Sequence, residues 1–124
     1  KAGGKSVMEE HLYTLLSGAL SFPIAWGTLG EGTSTPRAMM HRTGGLRSMH
    51  LEGKGLIEST VQIDCYGVTY AEAITSARAI RDELEGYTGG PVQGVFLQSV
   101  DDGFEDDAQL LQRVRLTFQV WHND

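Results

Sequence analysis

The sequence has one cysteine, Cys65, among 124 residues. That excludes a disulfide framework within the chain and a zinc site built from several thiolates. No stretch approaches the roughly 18 consecutive apolar residues of a membrane-spanning helix, and no signal-peptide pattern opens the chain. The expectation is a protein of the cytoplasm, or of a particle assembled there, with no membrane partner. Catalytic signatures are missing too: there is no HExxH, no GxSxG and no glycine-rich turn joining a strand to a helix. His11, His41, His50 and His122 form no pair at three- or four-residue spacing. No catalytic residue, cofactor or metal site is therefore expected, although spacing alone leaves open a triad assembled from distant residues. Basic residues are few, 10 against 16 acids, for a formal charge of -6. Such a field disfavours nucleic-acid backbones, so no direct, sequence-specific nucleic-acid binding is expected. DDGFEDD, residues 101–107, gathers five acids in seven positions but lacks the alternating ligands and closing glutamate of a calcium loop. It reads as a solvated connector.

What the sequence does have is one well-patterned stretch, Ile57 to Leu84. Ile57, Val61, Ile63 and Cys65 alternate with Glu58, Thr60, Gln62, Asp64 and Tyr66. Successive side chains leave opposite faces of a pleated strand, so this is a strand with one buried row. Cys65, on that row, is expected to be a small buried hydrophobe. After Gly67 the period changes: Ala73, Ala77, Ile80 and Leu84 recur three or four residues apart, as an amphipathic helix requires. Thr69 and Glu72 fit a capping box at its start, and Gly86 fits the position just past its end.

The rest of the chain supplies the remaining layer. Residues 1–7, KAGGKSV, are aperiodic and are expected to be a disordered expression remnant before a natural start at Met8, outside a single domain of residues 8–121. Met8 to Leu20 carries an apolar stripe of Leu12, Leu15, Leu16, Ala19 and Leu20, which predicts a short helix. Ser21 to Leu29 predicts a strand in which Pro23 favours an edge position. Pro36 to Thr43 predicts a weaker strand with Ala38 and Met40 on one face. Gly44 to Gly55 has four glycines and no clear period, and reads as a flexible arm or an irregular hairpin. Its Leu46, Arg47, Met49 and Leu51 are a candidate partner-binding loop, because long unstructured loops in compact domains are usually functional. This segment and residues 101–107 are expected to be the least ordered inside the chain. Val92 to Val100 is a strand of ambiguous face, and Leu111 to Trp121 a clean one, with Val114, Leu116, Phe118 and Val120 on its apolar row.

These elements predict an α+β fold: a mainly antiparallel sheet of four to five strands with two helices packed on one face. If the two clean strands share that sheet, its other face presents Gln62, Asp64 and Tyr66 together with Arg113, Arg115, Gln119 and Trp121. Arginine and aromatic residues are enriched where proteins meet, so this row is a candidate subunit interface. Arg113 and Arg115 would then pair with carboxylates of a neighbour. The alternative is an ordinary solvated face, with the arginines pairing within the sheet to Asp64.

Several phrases carry a resemblance: LYTLLSGAL in the first helix, Pro36 before its strand, VQIDCYGVTYAEAITSARAIRDEL from Val61, and FQVW from Phe118 to Trp121. In these the chain resembles the small tail-completion proteins of long-tailed phages, prophages and gene transfer agents, over most of Met8 to Trp121. It departs from them at Arg37 to His41. The resemblance implies a non-enzymatic virion component, assembled in the host cytoplasm, that completes or caps the tail and joins it to the head connector. It also implies partners: other copies in a ring, often a hexamer, together with tail-tube and head-connector proteins. The competing class is a small soluble α+β enzyme or ligand-binding domain, which a deep pocket lined by histidines or acids would favour.

Overall fold

The computed structural model describes residues 7–27, 35–43, 47–51, 54–104 and 111–123. Two helices, α1 (Val7–Ala19) and α2 (Tyr70–Leu84), accompany six strands. These are β1 (Ile24–Trp26), β2 (Arg37–Arg42), β3 (Arg47–Leu51), β4 (Lys54–Gly67), β5 (Val92–Phe104) and β6 (Gln112–Asn123). A strand has two edges, and β4 uses both along its 14 residues. On one side Leu56 to Gly67 pairs with β6. On the other, Lys54 to Glu58 pairs with β3, and Val61 to Tyr66 pairs with β2. The order is β1-β2-β4-β6-β5, with β3 beside the first half of β4. Every pairing is antiparallel except β1 with β2. The expected α+β architecture holds, with β3 as an additional strand.

One sheet face is apolar because the alternating rows of three strands coincide. Val61, Ile63 and Cys65 lie beside Ala38 and Met40 of β2 and Val114, Leu116, Phe118 and Val120 of β6, all fully buried or nearly so. Met8, Leu12 and Leu16 of α1, with Ala73, Ala77, Ile80 and Leu84 of α2, close over them. Alanines at the α2 contact let its axis approach the strands. The start of α2 is capped as its sequence suggests: the Thr69 hydroxyl accepts from the Glu72 N–H at 3.1 Å. The Glu72 carboxylate reaches back one residue further than a simple capping box, accepting from the Val68 N–H at 2.7 Å. Gly86, at φ 76°, then turns the chain out of the helix.

Gly67 ends β4 directly beneath that cap. A methyl group there would lie 2.8 Å from the Ala73 backbone nitrogen and 2.8 Å from the Glu72 Cβ. Both atoms are fixed by the helix start. Gly67→Ala should therefore cost about 1–3 kcal/mol, read as a lower denaturant midpoint with an unchanged slope.

Several boundaries differ from the sequence reading, β6 among them, which runs to Asn123 rather than Trp121; four differences bear on the fold. Helix α1 starts at Val7, one residue before the expected start; residues 1–6 lie outside the described residues. β1 is only Ile24–Trp26, but it follows Pro23 and lies at the sheet edge, as Pro23 suggested. Within Gly44 to Gly55 the structure shows the hairpin rather than the flexible arm, with Arg47–Leu51 paired to the start of β4. Such a ladder is held by backbone groups and needs no side-chain alternation. Finally, Asp101 to Phe104 is not connector but the end of β5. Its acids are tolerated in a strand because Asp101 lies opposite Arg115, which offsets the like-charge repulsion. Residues 44–46, 52–53 and 105–107, the rest of the two segments expected to be least ordered, lie outside the described residues.

Cys65 is fully buried, as its row predicted. Burial, and secondarily the neighbouring Asp64 charge, pushes its thiol from 9.0 up to about 12. The unfolded chain ionises this group first, so native stability is whole below pH 9.0 and falls as pH rises from there toward about 12. The slope from this one group is at most about 1.4 kcal/mol per pH unit. Denaturation of Cys65→Ala beside the parent across that alkaline window measures it, since the variant lacks this contribution to the slope.

Candidate functional site

The β4–β6 register brings the predicted polar row together. Tyr66 lies opposite Arg113, Asp64 opposite Arg115, Gln62 opposite Thr117, Thr60 opposite Gln119 and Glu58 opposite Trp121. Gln62, Asp64, Tyr66, Arg113, Arg115, Gln119 and Trp121 thus share the sheet face turned away from the helices. They are not equally free. Asp64 and Tyr66 are each only 3% exposed. Long side chains from neighbouring strands lie over them.

Arg115 donates to both carboxylate oxygens of Asp64, from Nε at 2.7 Å and from Nη2 at 3.2 Å. Such a planar two-point contact is the strong form of an arginine–carboxylate bond. His41 Nε2 stands 3.6 Å from the same carboxylate. The hydrogen bond to Asp64 raises the affinity of Arg115 for its proton; burial opposes this, and the charges of Asp64 and Asp101 add to the rise. The Arg37 guanidinium sits over the Tyr66 ring, 5.7 Å from its centroid. So the Asp64–Arg115 pair joins neighbouring strands of one chain, the within-sheet alternative to a contact between copies.

Arg113 is placed differently. Its guanidinium lies against Gly103 of β5, where a Cβ would come within 2.8 Å of Nη2. Its Nε is buried without a hydrogen-bond partner. The Gln119 side-chain amide is within 3.2 Å of Thr60 Oγ1 and of the Gln98 amide. Trp121 is half-buried. Phe96, 51% exposed, joins this face opposite Gln119. Sequence reasoning missed it because Val95, Phe96 and Leu97 run together; pairing sends Val95 inward and Phe96 outward. Of the candidate loop, Leu46 lies outside the described residues, while Arg47, Met49 and Leu51 lie on β3 beside β4.

A second polar group went unread. On the apolar face, Ser59 and His122 interrupt otherwise apolar rows, each 1% exposed. Ser59 Oγ is 2.8 Å from His122 Nε2, and His122 Nδ1 is 3.1 Å from the Asn123 carbonyl oxygen. Arg42 donates to Ser59 at 3.0 Å and to the Glu9 carboxylate at 3.0 Å. A serine beside a histidine suggests a nucleophile and its base. Here the hydroxyl is sealed from solvent and also accepts from Arg42, so the chain of bonds ties α1, β2, β4 and β6 together. Polar residues at positions 59 and 122 of two apolar rows were the available signal. His11 has a comparable structural part, lying 2.7 Å from the Tyr87 hydroxyl.

Neither of two hollows among the described residues gathers chemistry. A groove of about 440 Å³ runs beside α2, walled by Phe22, Pro36, Ala71, Thr75 and Ala79; its one acid, Glu72, caps Val68. A slot of about 150 Å³ lies between α2 and β5. Among the described residues no three His, Cys, Asp or Glu side chains are grouped to hold a metal ion. No helix among them is long and apolar enough to cross a membrane.

No family model matches the sequence, and no curated protein matches it. Solved structures do match. A chain of the "Virion of native gene transfer agent (GTA) particle" superposes with a TM-score of 0.61 at 14% identity, covering 91% of this chain and 84% of that one. This chain has the fold of a virion protein. At that identity the likeness is one of fold, and it spans most of both chains rather than one motif. It matches, at the level of fold, the phage and gene-transfer-agent resemblance carried by the sequence phrases.

Proposed function

We propose that this chain is a non-enzymatic structural component of a phage-type particle, which completes or caps the tail and joins it to the head connector as one subunit of a ring. The observation that carries the reading is the fold shared with a gene-transfer-agent virion chain over 91% of the present one. The surface supports it. The Ser–His contact is sealed, the larger groove is lined mainly by small and apolar residues, and the open sheet face offers arginine and aromatic side chains. On that face Arg113, Gln119, Trp121 and Phe96 are the residues presented to neighbouring particle proteins, while Asp64 and Arg115 hold the face together. The β3 hairpin, with Arg47, Met49 and Leu51, is a second contact region.

Deletion and complementation in the genome that encodes the chain tests this. Loss of the gene should leave separate heads and tails, and the parent gene should restore joined particles. Arg113→Ala should leave thermal unfolding nearly unchanged, since its Nε has no hydrogen-bond partner to lose, yet lower the yield of joined particles sharply. Normal joining without the gene would refute the reading. Normal joining with Arg113→Ala would move the working contact to the β3 hairpin.

A further inference from the structure

β5 is the last strand on its side of the sheet, and among the described residues partners cover only part of its outer edge. The end of α2 closes the first part. Gly86 N–H donates to the Val95 carbonyl at 2.8 Å, and the Glu85 carboxylate accepts from the Leu97 N–H at 3.1 Å. Past the irregularity between Leu97 and Ser99, no described residue pairs with the outer edge from Ser99 to Phe104. An uncovered strand edge of this length is a template for another strand.

The helix beside that edge adds side chains to the template. Ile74, Ala77, Arg78 and Arg81 of α2, with Val100 and Leu116 of the sheet, line the slot of about 150 Å³. Val100, 48% exposed, gives this flank an apolar surface. Tyr70, 45% exposed, donates its hydroxyl to the Asp102 carboxylate at 3.3 Å, so that side chain borders the slot while the β5 backbone edge stays unpaired among the described residues. Arg78 makes no ion pair with any described residue, in a chain where acids outnumber bases 16 to 10.

The opposite flank of the same molecule is complementary. There β1 is the edge, and Trp26 Nε1 ties it to α1 by donating to the Glu9 carbonyl at 2.9 Å. On the exposed side of α1 stand Tyr13, 42% exposed, and Glu10, which also makes no ion pair among the described residues. Strand direction agrees as well. β1 is parallel to β2, and three antiparallel steps lead from β2 to β5, so β1 and β5 run in opposite directions. A copy added by a rotation that keeps the helices on the same face therefore presents its β1 antiparallel to this β5.

We infer that a second copy of this chain docks head-to-tail on the free β5 edge. Its β1 lies along Ser99 to Phe104, its Tyr13 enters the slot beside Val100, and its Glu10 faces Arg78. A two-fold β5–β5 pairing is disfavoured, because it sets Asp101 and Asp102 of both copies, and Arg78 of both, against each other. A head-to-tail contact repeats from copy to copy, and closes into a ring when the rotation allows. The inference deepens the proposed ring-subunit function and rests on it.

Cross-linking tests the contact directly, because the native thiol does not interfere: Cys65 is fully buried and its thiol pushed up to about 12. Full-length Glu10→Cys and Arg78→Cys proteins are mixed and treated with a short bis-maleimide. The expected result is a mixed dimer, absent when either protein is treated alone and lost when the Arg78→Cys protein also carries Val100→Asp. An Arg78→Cys homodimer would overturn the inference in favour of two-fold pairing. No dimer at any concentration would overturn it outright. A mixed dimer combined with normal head–tail joining by a Val100→Asp chain would leave this contact standing and remove the ring-subunit reading. No dimer, with joining still lost on deletion, would do the reverse.

Discussion

Arg115→Ala should destabilise the domain by about 3–5 kcal/mol, a large share of the roughly 5–15 kcal/mol that holds a domain of this size folded. The cost does not come from the pair's own attraction. It comes from what is left behind: the Asp64 side chain is 4% exposed, and without Arg115 the basic group left beside it among the described residues is the His41 ring, with Nε2 at 3.6 Å. The reverse replacement, Asp64→Ala, should cost less, because the Arg115 side chain is 32% exposed and can turn toward water. Adding Asp64→Asn to Arg115→Ala should recover part of the loss by removing the stranded charge. Chemical denaturation of the two single variants and the double variant reads all three. Equal costs for both single replacements would show that the carboxylate is better solvated than its burial indicates. One consequence is practical. A combined Arg113 and Arg115 replacement cannot isolate an interface, since half of it lowers the stability of the fold.

Phe118→Ala should cost a similar amount, about 3–5 kcal/mol. Phe118 lies on the apolar row of β6, opposite Val61 of β4 and Leu97 of β5, and is fully buried. It belongs to the core cluster that also holds residues of both helices. Removing the ring leaves a cavity that strands paired on both sides cannot collapse around. Its neighbour across the pleat, Thr117, faces the opposite side, so Thr117→Ala should change stability by much less. Thermal or denaturant unfolding of both variants gives the contrast. Similar midpoints would mean that the apolar row is not the packed core.

The readable parts of this chain were those where one physical rule acts alone. The alternation from Ile57 to Cys65 and from Val114 to Val120 shows half-buried strands because one face is wet and the other is covered. The alanine stripe of α2 and its Thr69 cap are equally local, and both stand in the structure as their spacing implies. β3 was harder, because its pairing with β4 is backbone to backbone and asks little of side-chain pattern. The end of β5 was hidden by its acids: DDG looks like a connector until Arg115 and Arg113 are known to lie opposite. The candidate site divided along the same line. Which residues share the outer face follows from parity, and that part was legible. Which of them are covered depends on Arg37 and Arg115 reaching across strands, a tertiary fact that no local spacing carries. Ser59 and His122 were visible as polar breaks in apolar rows, but their partner Arg42 comes from a strand whose register only the fold defines.

The central claim, that this chain is a structural subunit at the head–tail junction of a particle, is tested most directly by locating it there. Particles purified from the encoding genome, with the chain carrying a small epitope, would be labelled and imaged by electron microscopy. The account predicts label confined to the junction, in several copies per particle, and absent from separated tube fragments. Purified, infective or gene-transferring particles that contain none of the chain would contradict it.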